Sequence, residues 1–512
     1  MDHVSLGAGD ASEEVLWQTP PPMLVVSTAP LDNGSWRDGV RIIAGPTGAG
    51  KTRLLRHLAA TRHRYEGDIV EVETHPLYGR TLHSLSDRGP QAGENLEFWQ
   101  AAWRTAILCS VASVLTERGS GLDDAARSDL ARIFAFRHRD GTELLPPSGS
   151  VSLPYGQLSA LVQRSASIAF FYDDRWNDIE ATLASILAKG PHIEFFLESA
   201  ESAWETEPFL ALKCLHGLTR EVLRLTEVTH PLASAVSVTL AVRNLVVADL
   251  YRAPAGGGFR ASKRVAALAW SSEELIALFS QRVALVPDSL LLVPEATDPA
   301  TRLTGLSTIT VPERDGVSEP TSHYVVRHCA GTPRDVINIA NSLLEEVQRL
   351  KSPKERALPE SVVRQRVAVE SHAIGTELLN QASTSLRSFD RRCASVSPDD
   401  YADQLVLWLS DFESDHVSRD ELRAHLPKWA DDRTRNVLPE LLWRTGILGH
   451  VTYEQGRGTV RYFESRQSFP TLVGRDIALR MHPSMIEVAD VTPSRELVSV
   501  FPGRQFDEEG AL

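Results

Sequence analysis

Arg41-Ile42-Ile43-Ala44-Gly45-Pro46-Thr47-Gly48-Ala49-Gly50-Lys51-Thr52 is a short apolar run entering a glycine-rich turn. It fits the spacing G-x-x-x-x-G-K-[ST] at Gly45, Gly50, Lys51 and Thr52, and Leu54, Leu55 and Leu58 open an apolar helical stripe behind it. Strand, turn and helix in that order are what the pattern requires. The glycines let backbone N–H groups converge on phosphate oxygens, and the helix N-terminus favours an anion. Gly45, Pro46, Thr47, Gly48, Ala49, Gly50, Lys51 and Thr52 therefore read as a phosphate-binding loop (P-loop) for ATP or GTP. Lys51 would place a point charge on the phosphates, and the Thr52 hydroxyl would take a position on Mg²⁺.

Composition sharpens that reading. Of 53 Lys plus Arg, seven are lysine (51, 189, 213, 263, 351, 354 and 428), which leaves 53 − 7 = 46 arginines. Lys51 is the first lysine in the chain, and it falls where a compact ammonium is needed. At 512 residues with 42% hydrophobic content, about three domains are expected. No run approaches the ~18 apolar residues of a membrane span. Met1-Asp2-His3-Val4-Ser5 carries no basic patch ahead of an apolar stretch, so no secretory signal is expected and a cytoplasmic location is. Cys109, Cys214, Cys329 and Cys393 have no metal-ligand spacing and read as scattered thiols. The net charge of −14 favours solubility and opposes long-range attraction to nucleic acid.

The expected fold class is α/β: a parallel-sheet P-loop NTPase domain, a helical lid and a C-terminal winged-helix domain. Residues 1–40, with Pro20-Pro21-Pro22, read as an extended leader. The NTPase core is expected over 41–270, with a helical insertion at about 75–165. Its strands are Arg41–Ala44, Ile69–Val72, Ile168–Tyr172, Ile193–Leu197 and Val236–Arg243, alternating with helices that include Phe98, Trp99, Trp103, Ile107 and Val111 on one run. Pro254-Ala255-Gly256-Gly257-Gly258 reads as a mobile loop. Residues 271–395 are expected to form the lid, opened by the capping box Ser271 with Glu274. Residues 396–490 offer three helices and a hairpin, the parts of a winged helix, and 491–512 read as a flexible tail.

Hydrolysis would need an acid near Mg²⁺. Two strand ends offer one: Asp173-Asp174, and Glu198 with Glu201 followed by Trp204. Chain order favours the second pair, because one helix separates Leu197 from the strand ending at Arg243. Arg243 would stand at the carboxyl edge of the sheet, where α/β ligands sit. Arg334, in the first turn of a lid helix opened by Gly331-Thr332-Pro333, would reach the phosphates across a cleft.

In that order these parts resemble bacterial P-loop ATPases of the STAND and AAA+ group. More narrowly, they resemble a set of uncharacterised bacterial P-loop ATPases with three marks: a Leu-Gly-x-x-Asp-Ala leader, an acidic (D/E)xx(D/E)xxW strand end and a closing His-Pro. Here these are Leu6-Gly7-Ala8-Gly9-Asp10-Ala11, Glu198 to Trp204, and His482-Pro483. The resemblance implies Glu198 as the Mg²⁺-water acid, Glu201 as a catalytic acid, Arg243 as sensor 1 and Arg334 as sensor 2. It also implies ATP and Mg²⁺ as cofactors and a slow ATPase, since Glu198 stands where such sites more often have Asp. The expected function is a nucleotide-dependent conformational switch, often defence-associated, that regulates a separate effector protein or assembles with copies of itself. The alternatives are a nucleotide-bound scaffold without turnover and a DNA-binding AAA+ ATPase. Against DNA, residues 401–483 hold 11 Lys plus Arg and 12 Asp plus Glu, a net of −1. Arg433, Arg435, Arg457 and Arg461 are the residues from which a local basic cluster would be built.

Overall fold

The computed structural model describes residues 39–62, 69–73, 82, 95–118, 122–136, 153–165, 167–198, 204, 207–252, 264–310, 318–350, 356–389, 398–425, 427, 432–454, 457–461, 478–493 and 498–501. The leader motif, Glu201, the 254–258 loop and Cys393 lie outside the described residues. The first part runs β1 (Ile42–Gly45), α1 (Lys51–Arg62), β2 (Ile69–Glu73), α2 (Leu96–Arg118), α3 (Asp124–Phe134), α4 (Pro154–Arg164) and α5 (Arg175–Leu187). It continues β3 (Ile193–Leu197), α6 (Pro208–Arg224), β4 (Val236–Arg243), α7 (Asn244–Arg252) and β5 (Val265–Ala267).

These strands form one parallel sheet in the order β2-β3-β4-β1-β5. Both faces are covered, so β1 and β5 are wholly apolar and β3 nearly so, while β2 and β4 carry Glu71, Glu73, Ser237 and Thr239 within them. The pleat still sorts them. Ile43, Val70, Phe196 and Ala241 pack with Leu54, Leu55 and Ala59 of α1, whereas Ile42, Ala44, Phe195, Leu197, Leu240 and Val242 join the larger core of α2 and α6. Helix α2 is buried nearly all round from Phe98 to Leu115, as expected of a helix sandwiched between a sheet and further helices.

Helix α6 approaches α2 closely at Gly217, where an added Cβ would run into Trp99 Cβ and stand 2.6 Å from its carbonyl carbon. That contact is backbone against backbone and cannot be relieved by a rotamer change. Gly217→Ala should therefore destabilise the protein by about 1–3 kcal/mol through overpacking. A matched pair of urea unfolding curves followed by tryptophan fluorescence checks it.

One expected strand is not a strand. Ile168–Tyr172 is a 3₁₀ helix opened by the Ser167 hydroxyl, which accepts from Ala169 N at 3.1 Å. Its apolar run serves an aromatic cluster instead: Phe171 meets Phe98 edge-on, and Phe170 meets Trp176 edge-on. Asp173-Asp174 consequently ends no sheet strand, and Asp173 is spent on Arg175, 2.8 Å away.

The second part holds α8 (Ser272–Val283), α9 (Pro299–Thr304), β6 (Thr308–Thr310), β7 (Ser318–Pro320), α10 (Thr321–Arg327), α11 (Pro333–Arg349) and α12 (Glu360–Phe389). Then follow α13 (Pro398–Leu409), β8 (His416–Ser418), α14 (Arg419–Ala424), α15 (Asp432–Thr445), β9 (Leu448–Glu454), β10 (Arg457–Arg461), β11 (Ala478–Met481), α16 (Pro483–Ala489) and β12 (Val498–Phe501). Both expected capping boxes are formed, Ser271 with Glu274 and Ser418 with Glu421. The antiparallel hairpin β9–β10 is present, but it sits inside a five-stranded sheet of order β12-β10-β9-β11-β8. Strand β12 falls in the stretch expected to be a flexible tail and pairs parallel with β10. A single buried cluster runs from Trp270 to Val491 and takes in side chains from both the helical and the C-terminal stretches.

His482 ties these stretches together. As N-cap of α16, its Nδ1 accepts from Ser484 N at 3.2 Å, so Nε2 carries the proton and donates to the Cys329 carbonyl at 3.0 Å. Burial pushes His482 down to about 4, against the Cys329 hydrogen bond, which raises it. The unfolded chain thus takes the proton first as pH falls. The stability that His482 contributes is complete above about 6.5 and is lost between there and about 4. His482→Gln keeps a donor without the titration. The wild-type advantage over it should shrink by about 3 kcal/mol between pH 7 and 4, read from paired denaturation curves. Glu73 and Asp335, both held at about 7 chiefly by burial, act in the opposite sense in both proteins and cancel in the difference.

Candidate phosphate-binding site

The carboxyl ends of the five parallel strands lie along one edge, and register fixes what meets there. Gly45 is opposite Arg243, Leu197 is opposite Leu240, and Glu73 is opposite Leu197. Beyond Gly45 the loop turns through Gly48 at φ +81° and Gly50 at φ +93°, a region that side chains disfavour. Ala49 N donates to Pro46 O at 3.3 Å, and the chain enters α1 at Lys51. Lys51 is 8% exposed and folds back on the loop, donating to Gly45 O at 3.1 Å and Pro46 O at 2.8 Å.

The Thr52 hydroxyl donates to Glu198 Oε1. Strand β4 separates β1 from β3, so the carboxylate must span one strand to arrive there. The Glu198 side chain covers that distance. Glu198 is the acid that meets the loop. Arg243 ends β4 with its guanidinium 5.9 Å from the ring centre of Trp204.

The helical part closes on the loop from the other side. Arg334 N donates to Gly48 O at 3.4 Å, and a Cβ on Gly48 would lie 2.9 Å from both Arg334 Cβ and Thr332 Oγ1. Thr332 is the N-cap of α11, its hydroxyl accepting from Asp335 N at 3.3 Å. Asp335 in turn accepts from Ala330 N at 2.9 Å. Arg334 Nη1 lies 3.7 Å from Glu377 Oε1 on α12. Trp270, just before α8, donates its indole N–H to Ala49 O at 3.0 Å. Arg53, next after Thr52, is held below the usual guanidinium range first by burial and then by the charge of Arg282 on α8. Basic residues thus flank the loop, with Glu198 and Glu377 among their neighbours.

Lys51, Thr52, Glu198 and Arg243 meet at this edge, and Arg334 lies on the lid side of the same loop; Glu201, expected as a catalytic acid, is outside the described residues. Sequence reasoning missed Trp270, Thr332, Glu377, Glu73 and Tyr155. Thr332 followed by Asp335 is a capping pattern that was readable in the sequence. The others act through contacts that no local pattern announces. Among the described residues no group of three or more His, Cys, Asp or Glu could hold a metal by itself. One hydroxyl and one carboxylate beside a phosphate loop instead fit Mg²⁺, which dehydrates reluctantly and shares its ligands with substrate phosphates. Among the described residues no helix is long and apolar enough to cross a membrane.

No protein-family model matches the chain, and no curated protein matches it significantly. Two solved structures are similar in outline. Cdc6p from Pyrobaculum aerophilum is 12% identical, with 92% of this chain and 91% of that chain covered and a TM-score of 0.29. The Aeropyrum pernix ORC2 protein, in ADPNP–ADP complexes, is 13% identical, with 93% and 95% covered and a TM-score of 0.30. At those scores the overlap is loose and carries no functional argument.

Proposed function

We propose that this chain is an ATP-binding P-loop ATPase of the AAA+ type, in which Mg²⁺-ATP biases the seating of the α8–α12 lid on the parallel-sheet domain. The observation that carries it is one loop touched from two sides. Thr52 meets Glu198 beneath it, and Thr332 and Arg334 rest on Gly48 above it.

On this reading the amides of Thr47 to Lys51 cradle the phosphates, and Lys51 turns from the loop carbonyls to them. Thr52 and Glu198 hold Mg²⁺, directly or through water. Bound Mg²⁺ would neutralise charge on the phosphoryl group being cleaved. Arg243 and Arg334 face the triphosphate tail from sheet and lid, so the γ-phosphate adds side-chain contacts to the backbone contact that Arg334 already makes with Gly48. Moving a two-state equilibrium from 1:99 to 99:1 takes about 5.5 kcal/mol of differential binding. Charge-assisted hydrogen bonds of about 1.5–3 kcal/mol each supply that from two or three contacts. The C-terminal helices and hairpin are proposed as a winged helix that carries the change to a separate effector or regulator protein, or to another copy of the chain.

The test is calorimetric titration of the full chain with ATP and ADP, each with and without Mg²⁺, alongside hydrogen exchange of α11. Tighter ATP binding with Mg²⁺ and added protection at the start of α11 is the expected result. Equal affinity for ATP and ADP with no change at α11 would remove the switch.

A further inference from the structure

We propose that Glu73 and Tyr155 are positioning residues for Glu198, and that inserted helix α4 thereby sets how tightly the site holds Mg²⁺. This deepens the reading of Thr52 and Glu198 as the magnesium side of a nucleotide site and rests on it.

Glu198 stands one residue beyond β3, and both of its backbone polar groups are fixed from outside its own strand. Its N–H donates to Glu73 O at 3.1 Å, across the sheet on β2. Its carbonyl accepts from the Tyr155 hydroxyl at 2.5 Å, from the first turn of α4. The two supports are themselves joined. The Glu73 carboxylate, on a residue only 1% exposed, accepts from Tyr155 N at 2.8 Å and Gly156 N at 3.1 Å. A closed circuit of four hydrogen bonds thus surrounds the backbone of the residue whose side chain meets Thr52.

A carboxylate buried on an edge strand is a costly way to cap a helix. Helix α4 opens at Leu153, which has no capping side chain, followed by Pro154, which has no N–H to satisfy. A Ser or Asp at 153 would cap the helix locally. The carboxylate comes from β2 instead, and its effect is to bind the helix end to the strand ends that carry Glu198. The Tyr155 ring is also locked: it is 1% exposed and lies edge-on to Trp103 with centroids 5.5 Å apart. Its hydroxyl is therefore held by the α2–α4 core and aimed at one carbonyl. Groups that orient a metal ligand in this way typically change metal affinity by about 10–100-fold when removed.

The experiment titrates MgCl₂ into the full chain with ATP, following ATP binding by calorimetry, and repeats the ATP titration in EDTA. Tyr155→Phe removes one hydroxyl and leaves the ring packing in place. Glu73→Gln leaves one acceptor of two. Both variants should shift the Mg²⁺ midpoint about tenfold upward, with ATP affinity in EDTA within about twofold of wild type. A folded Tyr155→Phe with an unchanged Mg²⁺ midpoint overturns the proposal. So does a loss of affinity as large in EDTA as with Mg²⁺, which would mark general damage to the loop. Should Glu73→Gln not fold, Tyr155→Phe decides alone. If wild type binds ATP without regard to Mg²⁺, or binds no ATP, the nucleotide-site reading falls as well. The variants fail alone only when wild type shows Mg²⁺-dependent binding.

Discussion

Lys51→Ala should lower ATP affinity by about 10- to 100-fold while leaving the unfolding midpoint nearly unchanged. The factor is what short charge-assisted hydrogen bonds to phosphate are worth, about 1.5–3 kcal/mol. The fold should tolerate the change because the ammonium donates to Gly45 O and Pro46 O, two carbonyls of the loop itself. Its removal leaves those carbonyls short of a donor but also relieves the burial of a charge. Arg53, Arg282, Arg243 and Arg334 remain, so general attraction for anions survives. The more telling variant is Lys51→Arg. It keeps the charge but brings a planar fork into a pocket shaped for a compact ammonium, and affinity should fall nearly as far as with alanine. Calorimetry with ATP checks both. Full binding by Lys51→Arg would reduce the loop to one more cationic patch in a chain with 46 arginines among its 53 basic residues.

What the sequence could disclose about this site follows from distance along the chain. Gly45 to Thr52 are contiguous, and their spacing is itself the geometry. Glu198 and Arg243 were legible because each closes an apolar strand, and parallel strands put such ends on one edge. Arg334 was legible as a residue in a helical first turn, but its place over Gly48 came only from tertiary structure. Tyr155 and Glu73 are separated by 82 residues, and Trp270 and Ala49 by 221. No periodicity reports such pairs. Ile168–Tyr172 misled for a related reason. Hydrophobicity marks burial rather than secondary structure, and a short run of five apolar residues fits a strand or a turn of helix equally well. In the C-terminal sheet, β8 and β11 have three and four residues, too few to show alternation.

Gly48→Ala should displace the lid, and the effect can be separated from simple backbone strain. At φ +81° a β-carbon costs roughly 1–2 kcal/mol wherever the lid is. The second cost exists only with the lid seated, because the new methyl would lie 2.9 Å from Arg334 Cβ and from Thr332 Oγ1. Neither neighbour can yield alone. Arg334 Cβ is fixed to the helix backbone, and the Thr332 hydroxyl caps α11 by accepting from Asp335 N. Rotating it away would uncap the helix at a cost of about 1 kcal/mol. The first turn of α11 must therefore lift, which breaks the Arg334 N–H to Gly48 O contact. Hydrogen exchange over 332–336 should accelerate at least tenfold without nucleotide. Gly50→Ala is the control: its φ is +93° but its Cβ would meet nothing within 4 Å, so it carries the strain without the clash. Exchange at 332–336 should stay at the wild-type rate there, although the unfolding midpoint falls comparably. Adding Arg334→Ala to Gly48→Ala should then cost little further ATP affinity, because the arginine has already left the phosphates. Equal exchange in the two glycine variants, or fully additive losses, would place Arg334 outside the nucleotide's reach and leave the lid a passive neighbour of the loop.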